Sequence, residues 1–175
     1  MSISSCSDKR KAQVIDIEKY ISEKIQKLEK KNVNMSIPNQ KIYFGIDSVK
    51  SFDLKDFVSE RKVFFWFSQN TCSPCIDRCI DIVKKTFPDY ENDDHIIFVS
   101  PDYPARFRDN FYNKKLLTLE NKYFGLEFEN KDVPFFIIIN SNLQVNSIHI
   151  VNKNDFRRTE KYLQKINSID TSSHK

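Results

Sequence analysis

The sequence predicts an α/β fold with parallel strand pairing at its centre, and three observations carry that reading. Apolar runs of strand length, RKVFFWF (61–67), HIIFVS (95–100) and DVPFFIIIN (132–140), suit strands buried on both faces. Stretches with helical apolar spacing alternate with them. No internal repeat or low-complexity segment interrupts the pattern. The chain of 175 residues is 39% hydrophobic and 13% aromatic, enough for one domain with a real core and a modest extension.

The elements follow in order. In DKRKAQVIDIEKYISEKIQKLEKK (8–31), Val14, Ile17, Ile21, Ile25 and Leu28 form one apolar stripe on a helix. Ser7 or Asp8 is the expected N-cap, and Asn32 and Asn34 the expected end. The stripe fits a helix docked on the main domain better than a spacer or short coiled coil, because about four heptads is a borderline length for the latter. KIYFGI (41–46) reads as a short strand, and SVKSFDLKDFVSE (48–60) as an extended segment leading into a helical turn. RKVFFWF is the central strand, SQNT (68–71) a polar loop, and a helix opens near Pro74, with Cys75, Cys79, Ile82 and Val83 on its apolar face. TFPDYENDD (86–94) breaks the pattern before the strand HIIFVS. PARFRDNFYNKK (104–115) reads as a helix, DVPFFIIIN and LQVNSIHIV (143–151) as strands joined at Ser141–Asn142, and DFRRTEKYLQKI (155–166) as a terminal amphipathic helix.

Net charge is +4, from 28 basic and 24 acidic residues of interspersed sign. No basic stripe with interleaved aromatics appears, so nucleic acid is not an expected partner. No apolar run reaches the ~18–20 residues of a membrane span. Fifteen Phe beside two Gly, with abundant Lys, Asn and Ile, point to a compositionally biased genome, so single residues of those types carry little weight.

Chemistry concentrates in NTCSPCIDRC (70–79), which places Cys72, Cys75 and Cys79 together. They could be a redox pair with a bystander, part of a metal site, or three core residues. A thiolate, not a thiol, attacks a disulfide, so a reactive cysteine needs exposure and a lowered pKa. Cys72, at the start of the expected helix, would face unpaired backbone N–H groups and the positive end of the macrodipole. Two intervening residues let Cys75 reach back to it from a more shielded place. Cys72 and Cys79 would stand ~10 Å apart on a helix, beyond the ~7 Å Cα limit of a disulfide. Cys79 therefore reads as a small buried hydrophobe. For metal, C-x2-C-x3-C is not a standard zinc spacing and no second cysteine pair follows. His95, after a charged loop, and His149, alternating with Ile148 and Ile150, read as outward-facing surface histidines, so no metal site is expected. No Ser-His-Asp set, phosphate-cradling loop or carboxylate pair can be placed.

A buried strand, a short loop, C-x-x-C opening a helix, and much later Val-Pro before another buried strand resemble the thioredoxin superfamily. SFDLKDF-x5-VFFWFSQNTCSPC (51–75) and NKYFGLEFENKDVPFFIIINSNLQV (121–145) are similar to the approach and closing runs of its TlpA-like thiol–disulfide oxidoreductase branch, and the resemblance covers residues 40–168. It implies a three-layer fold with a central mixed sheet flanked by helices, plus an N-terminal helical extension. It also implies Cys72 as nucleophile, Cys75 as resolving thiol, and Val133 with a cis Pro134 facing them. Thr71, Ser73 and Pro74 complete the implied substrate surface. The sequence departs from the family at Thr71, where Trp is frequent, at Trp66, where thioredoxin carries a buried acid, and at Arg78, where some TlpA-like proteins have Glu.

The expected function is thiol–disulfide exchange with protein thiols and disulfides and an upstream redox partner, by a monomer without a cofactor. The alternative is a redox-inactive thioredoxin-like module that binds proteins or peptides in the same groove. Ile3–Cys6, ISSC, resembles the end of a bacterial lipoprotein signal, although the apolar h-region is missing. Cys6 is accordingly the candidate lipidation site. The expected organisation is an N-terminal segment 1–39 serving as anchor and spacer, a domain 40–168 and a tail 169–175. The expected address is extracytoplasmic and periplasm-facing, with membrane association through the lipidated end, or cytoplasmic if no signal peptide precedes Met1.

Overall fold

The computed structural model describes residues 5–45, 47–58 and 61–172, with side chains described for 17–45, 50–58, 61–129 and 131–168. Helix α1 (Ser5–Asn32) leads into strands β1 (Lys41–Phe44) and β2 (Asp47–Asp53), a single turn α2 (Leu54–Phe57) and β3 (Lys62–Trp66). Then come α3 (Ser73–Thr86), β4 (Ile96–Val99), the short α4 (Ala105–Arg108), β5 (Leu117–Leu119), a 3-10 turn (Glu129–Lys131), β6 (Phe135–Ile139), β7 (Val145–Ile150) and α5 (Phe156–Ser172).

One mixed sheet holds all the strands in the order β2-β1-β5-β4-β3-β6-β7. β3 pairs parallel with β4 and β4 parallel with β5, while β6 runs antiparallel to β3, and β7 antiparallel to β6. This is the α/β class with a parallel centre that the apolar runs predict. Strand β3 shows why its run is continuous. Val63 and Phe65 face a core completed by Ile80, Val83, Leu163 and Ile166 of α3 and α5. Phe64 and Trp66 face a second core with Leu54, Phe124 and Phe128, against which Ile25 and Leu28 of α1 pack. A strand covered on both sides has no polar face to show.

Helix α1 contains the expected stretch but starts earlier, so Ser7 and Asp8 lie inside it rather than at its cap. Its end is as expected. Asn32 donates its side-chain amide to Leu28 O at 2.7 Å, and Asn34 takes the left-handed conformation (φ 67°). The stripe divides in two: Ile25 and Leu28 dock on the core, whereas Ile17 is 53% exposed. Docking is fixed by Glu29, whose carboxylate accepts Ile150 N–H at 2.8 Å and pairs with Arg158.

Two expectations fail for local reasons. The helix expected over 104–115 is only the single turn α4, because Tyr112 (φ 50°) and Asn113 (φ 63°) are both left-handed. They form a tight turn bridged by Phe111 and Lys114, with Asn113 N–H bonded to Asn110 Oδ1 at 3.0 Å. The chain then enters β5, a strand the sequence reading does not contain. His149 does alternate with Ile148 and Ile150, but the face it points to is covered by α5. It is 2% exposed, its Nε2 lies 2.9 Å from Thr159 Oγ1, and its ring stacks on Tyr162. His95, by contrast, is exposed as expected.

Candidate functional site

β3 ends at Trp66, and the chain passes through the buried Phe67 and Ser68 and turns at Gln69 and Asn70 to the cysteines. Cys72 is the N-cap of α3, and its carbonyl accepts the N–H groups of Cys75 and Ile76 at 2.9 and 3.1 Å, which starts the helix. Pro74 sits in the first turn, where its missing N–H costs no helical bond. That turn contains no acidic residue, while Lys84 and Lys85 occupy the last. The helix dipole therefore favours negative charge at Cys72, with no carboxylate inside the first turn itself to oppose it.

Cys72 and Cys75 form a disulfide, with their Cα atoms 5.2 Å apart. Cys72 is exposed and Cys75 only 8% exposed, so one sulfur faces solvent and the other the protein. Ser73 and Pro74 are exposed beside them. Cys79 is a free, fully buried cysteine in the α3–α5 core, and burial pushes its thiol up to about 12. A thiol so disposed stays protonated and inert. Cys6 lies in the first turn of α1, and its side chain is outside the described residues. Among the described residues, no group of three or more His, Cys, Asp or Glu is arranged to hold a metal ion, and no helix is long and apolar enough to cross a membrane.

A latch that sequence reasoning missed joins this turn to the loop before β6. Ser68 Oγ donates to Asp132 Oδ1 at 2.6 Å. Thr71 Oγ1 accepts Ser68 N–H at 3.0 Å and donates to Asp132 O at 3.1 Å. Thr71, 4% exposed, is thus a structural clasp immediately before Cys72, and the expectation of an open contact surface there does not describe its buried hydroxyl. The only signal for Asp132 was its place two residues before Pro134, in a KDVP string that alone says nothing about Ser68. On the other flank, Gln69 N–H bonds Asp102 Oδ1 at 2.8 Å, and Tyr112 OH bonds Asp77.

The latch ties Asp132, which directly precedes the expected Val133–Pro134 motif, to the turn before Cys72, and the motif itself needs one correction. Val133 is half-buried and Pro134 buried, its carbonyl accepting Val151 N–H at 3.0 Å. Among the described residues no peptide bond is cis, so Val133–Pro134 is trans. Asp132, two residues before Pro134, is left-handed at φ 52°. At Trp66 the departure from thioredoxin is complete. The indole is fully buried, stacks on Phe135 at 5.1 Å, and its N–H finds no acceptor among the described residues. No titratable group occupies that position.

No protein-family model matches the chain, and a search of curated proteins returns no match. Solved structures do match. AhpC from Enterococcus faecalis aligns with a TM-score of 0.52 at 13% identity, over 82% of this chain and 95% of its own. A mutant PrxQ from Xylella fastidiosa aligns with a TM-score of 0.51 at 11% identity, over 79% of this chain and 97% of its own. The fold is thioredoxin-like. Reduced 2-Cys peroxiredoxin from Plasmodium vivax aligns at a TM-score of 0.48 and 14% identity, over 82% of this chain and 84% of its own. Within the thioredoxin-like fold, the Cys72–Cys75 turn lies where β3 gives way to α3 and the loop 131–134 enters β6 alongside it.

Proposed function

We propose that the protein exchanges thiols and disulfides with protein partners through Cys72 and Cys75. The observation that carries the reading is the Cys72–Cys75 disulfide at the tip of α3, with one sulfur exposed and the other shielded. In the reducing direction, the Cys72 thiolate attacks one sulfur of a partner disulfide. An S–S bond forms between Cys72 and the partner, and the partner's other sulfur leaves as a thiolate. The Cys75 thiolate then attacks Cys72 Sγ, expelling the second partner thiolate and leaving Cys72–Cys75 oxidised. Two electrons pass to the partner, and the reverse sequence oxidises a partner dithiol.

The reading extends to a TlpA-like oxidoreductase held outside the cytoplasm by a lipidated Cys6, supported by the C-x-x-C approach sequence and the ISSC string. Mass spectrometry of Cys6 in the membrane fraction tests that part, and an unmodified thiol there refutes it.

The cysteines separate by role. Cys72→Ser should abolish covalent capture of partners, and Cys75→Ser should accumulate mixed disulfides that can be isolated. Cys79→Ala should leave exchange intact and cost roughly 1 kcal/mol, as a small core truncation does. Should Cys75→Ser trap nothing while Cys79→Ala loses activity, the pair is misassigned. A wild-type pair that forms the disulfide but, once reduced to the dithiol, reduces neither insulin nor any test peptide would leave a binding module in its place.

A further inference from the structure

Beside the loop that latches onto the disulfide turn lies a basic groove of about 340 Å³ between α1 and the segment 127–131. Lys24, Lys27 and Lys31 line one wall, Glu127 and Lys131 the other, and Leu28 forms an apolar strip between them. Lys31 is paired with Glu127 at 2.7 Å. Among the described residues, no carboxylate stands within ion-pair distance of Lys24, Lys27 or Lys131. Lys24 instead sits over the exposed Tyr20 ring, 4.6 Å from its centre. The groove therefore carries an excess of positive charge over an apolar strip.

Its position gives that charge a use. Lys131 immediately precedes Asp132, whose carbonyl is hydrogen-bonded to Thr71, the neighbour of Cys72. An extended chain covers ~3.3–3.6 Å per residue, so a segment lying in the groove reaches Cys72 within a few residues. The walls are themselves firm. Glu29, one residue past Leu28, ties α1 to β7, and Glu129 holds the turn before Lys131 by accepting Phe124 N–H at 2.8 Å and Leu126 N–H at 2.6 Å. We infer that this groove docks an acidic segment of the protein partner next to the cysteine being exchanged. The inference rests on the thiol-exchange reading and adds the class of partner. A concave site with an apolar strip that runs into the 131–134 loop fits a polypeptide better than a flat lipid surface. Charge complementarity at such an edge acts mainly on encounter rate and partner choice.

The test uses the reduced full chain and three cyclic peptides, each closed by one disulfide and flanked by Glu, Ser or Lys. The Glu-flanked peptide should be reduced about tenfold faster than the Ser-flanked one at low salt, with the Lys-flanked one slowest. At ~1 M salt, where the screening length is ~3 Å, the preference should fall below about twofold. Lys27→Glu with Lys131→Glu should reverse the order, so that the Lys-flanked peptide becomes preferred; a merely structural role would slow all three alike. A linear Glu-flanked peptide with Ser for Cys should bind the wild type and not the double variant. Equal rates for the three peptides, or a preference indifferent to salt, would overturn the groove while leaving thiol exchange standing. Failure to reduce even the Ser-flanked peptide would overturn thiol exchange instead, and the binding arm would then decide the groove by itself. Binding to phosphatidylserine vesicles with no preference among peptides would overturn it in favour of a membrane surface.

Discussion

Replacing Thr71 with Val tests whether the latch holds the disulfide turn in place. The substitution keeps the branched volume and removes one oxygen. That oxygen accepts Ser68 N–H at 3.0 Å and donates to Asp132 O at 3.1 Å. The two losses differ in cost. Ser68 is 3% exposed, so its N–H would be stranded away from water, at about 1–3 kcal/mol. Asp132 is exposed, and its carbonyl can turn to solvent at little cost. The oxidised protein should therefore lose about 1–3 kcal/mol in urea denaturation, with an unchanged m-value. Thr71→Ser, which keeps the hydroxyl, should recover most of the loss. Exchange with a protein disulfide should slow by about tenfold, equivalent to ~1.4 kcal/mol, because the 132–134 loop is no longer held against the Cys72 turn. A Val variant as stable as the wild type, or a Ser variant that falls as far as Val, would refute the latch.

Two further predictions concern the support around the site. Glu29→Ala leaves the part-buried Arg158 and the buried Ile150 N–H without their acceptor and should cost ~1–3 kcal/mol, whereas Glu29→Gln keeps the backbone bond and should cost less; an Ala variant as stable as wild type in urea would show that α1 is not clamped there. His149 is held below its ordinary value by burial, an effect that Glu29 partly offsets, and so is neutral in the fold. Its contribution to stability should be complete above pH ~6.5 and be lost as pH falls below it. Glu129, pushed up to about 7 by burial, acts oppositely, its contribution being lost as pH rises from about 4.5 towards 7. NMR titration should place the His149 midpoint below ~6.5 and the Glu129 midpoint well above ~4.5, and an imidazole titrating above ~6.5 would contradict the burial argument.

What was legible in the sequence is what local pattern controls. The run RKVFFWF shows a strand with no solvent face, and the alternation of Phe64 and Trp66 with Val63 and Phe65 into opposite cores confirms why it had to be continuous. Cys79 was legible as core because its helical spacing from Cys75 puts it on the buried face, and it is fully buried. The strand β5 was not legible. Its three residues, Leu117–Leu119, are too few to show a period, and the turn before it depends on left-handed Tyr112 and Asn113, which no Gly announces. His149 shows the limit of alternation, which gives the face of a strand but not what covers it. Glu29 and Arg158, 129 positions apart, are each an ordinary charged residue on an amphipathic helix until the fold brings them together.

The latch follows from strand register more than from any motif. Trp66 pairs with Phe135 in the antiparallel ladder between β3 and β6. Because β3 leaves the sheet where β6 enters, the residues just after Trp66 and just before Phe135 emerge at the same end. Ser68 and Asp132 are thereby neighbours although 64 positions separate them. A slip of one residue would turn every side chain of β3 to the opposite core, setting Trp66 and Phe64 against α3. The two packed faces therefore fix the register, and the register fixes which hydroxyls meet Asp132. The same geometry accounts for Trp66 in place of an acid. With both faces sealed by aromatic packing, the carboxylate latched to the disulfide turn comes from the loop, where Asp132 is exposed. Any influence of charge on Cys72 then enters from the rim of the site and not from beneath it, so the proposed exchange should be sensitive to salt and to the charge of the arriving segment.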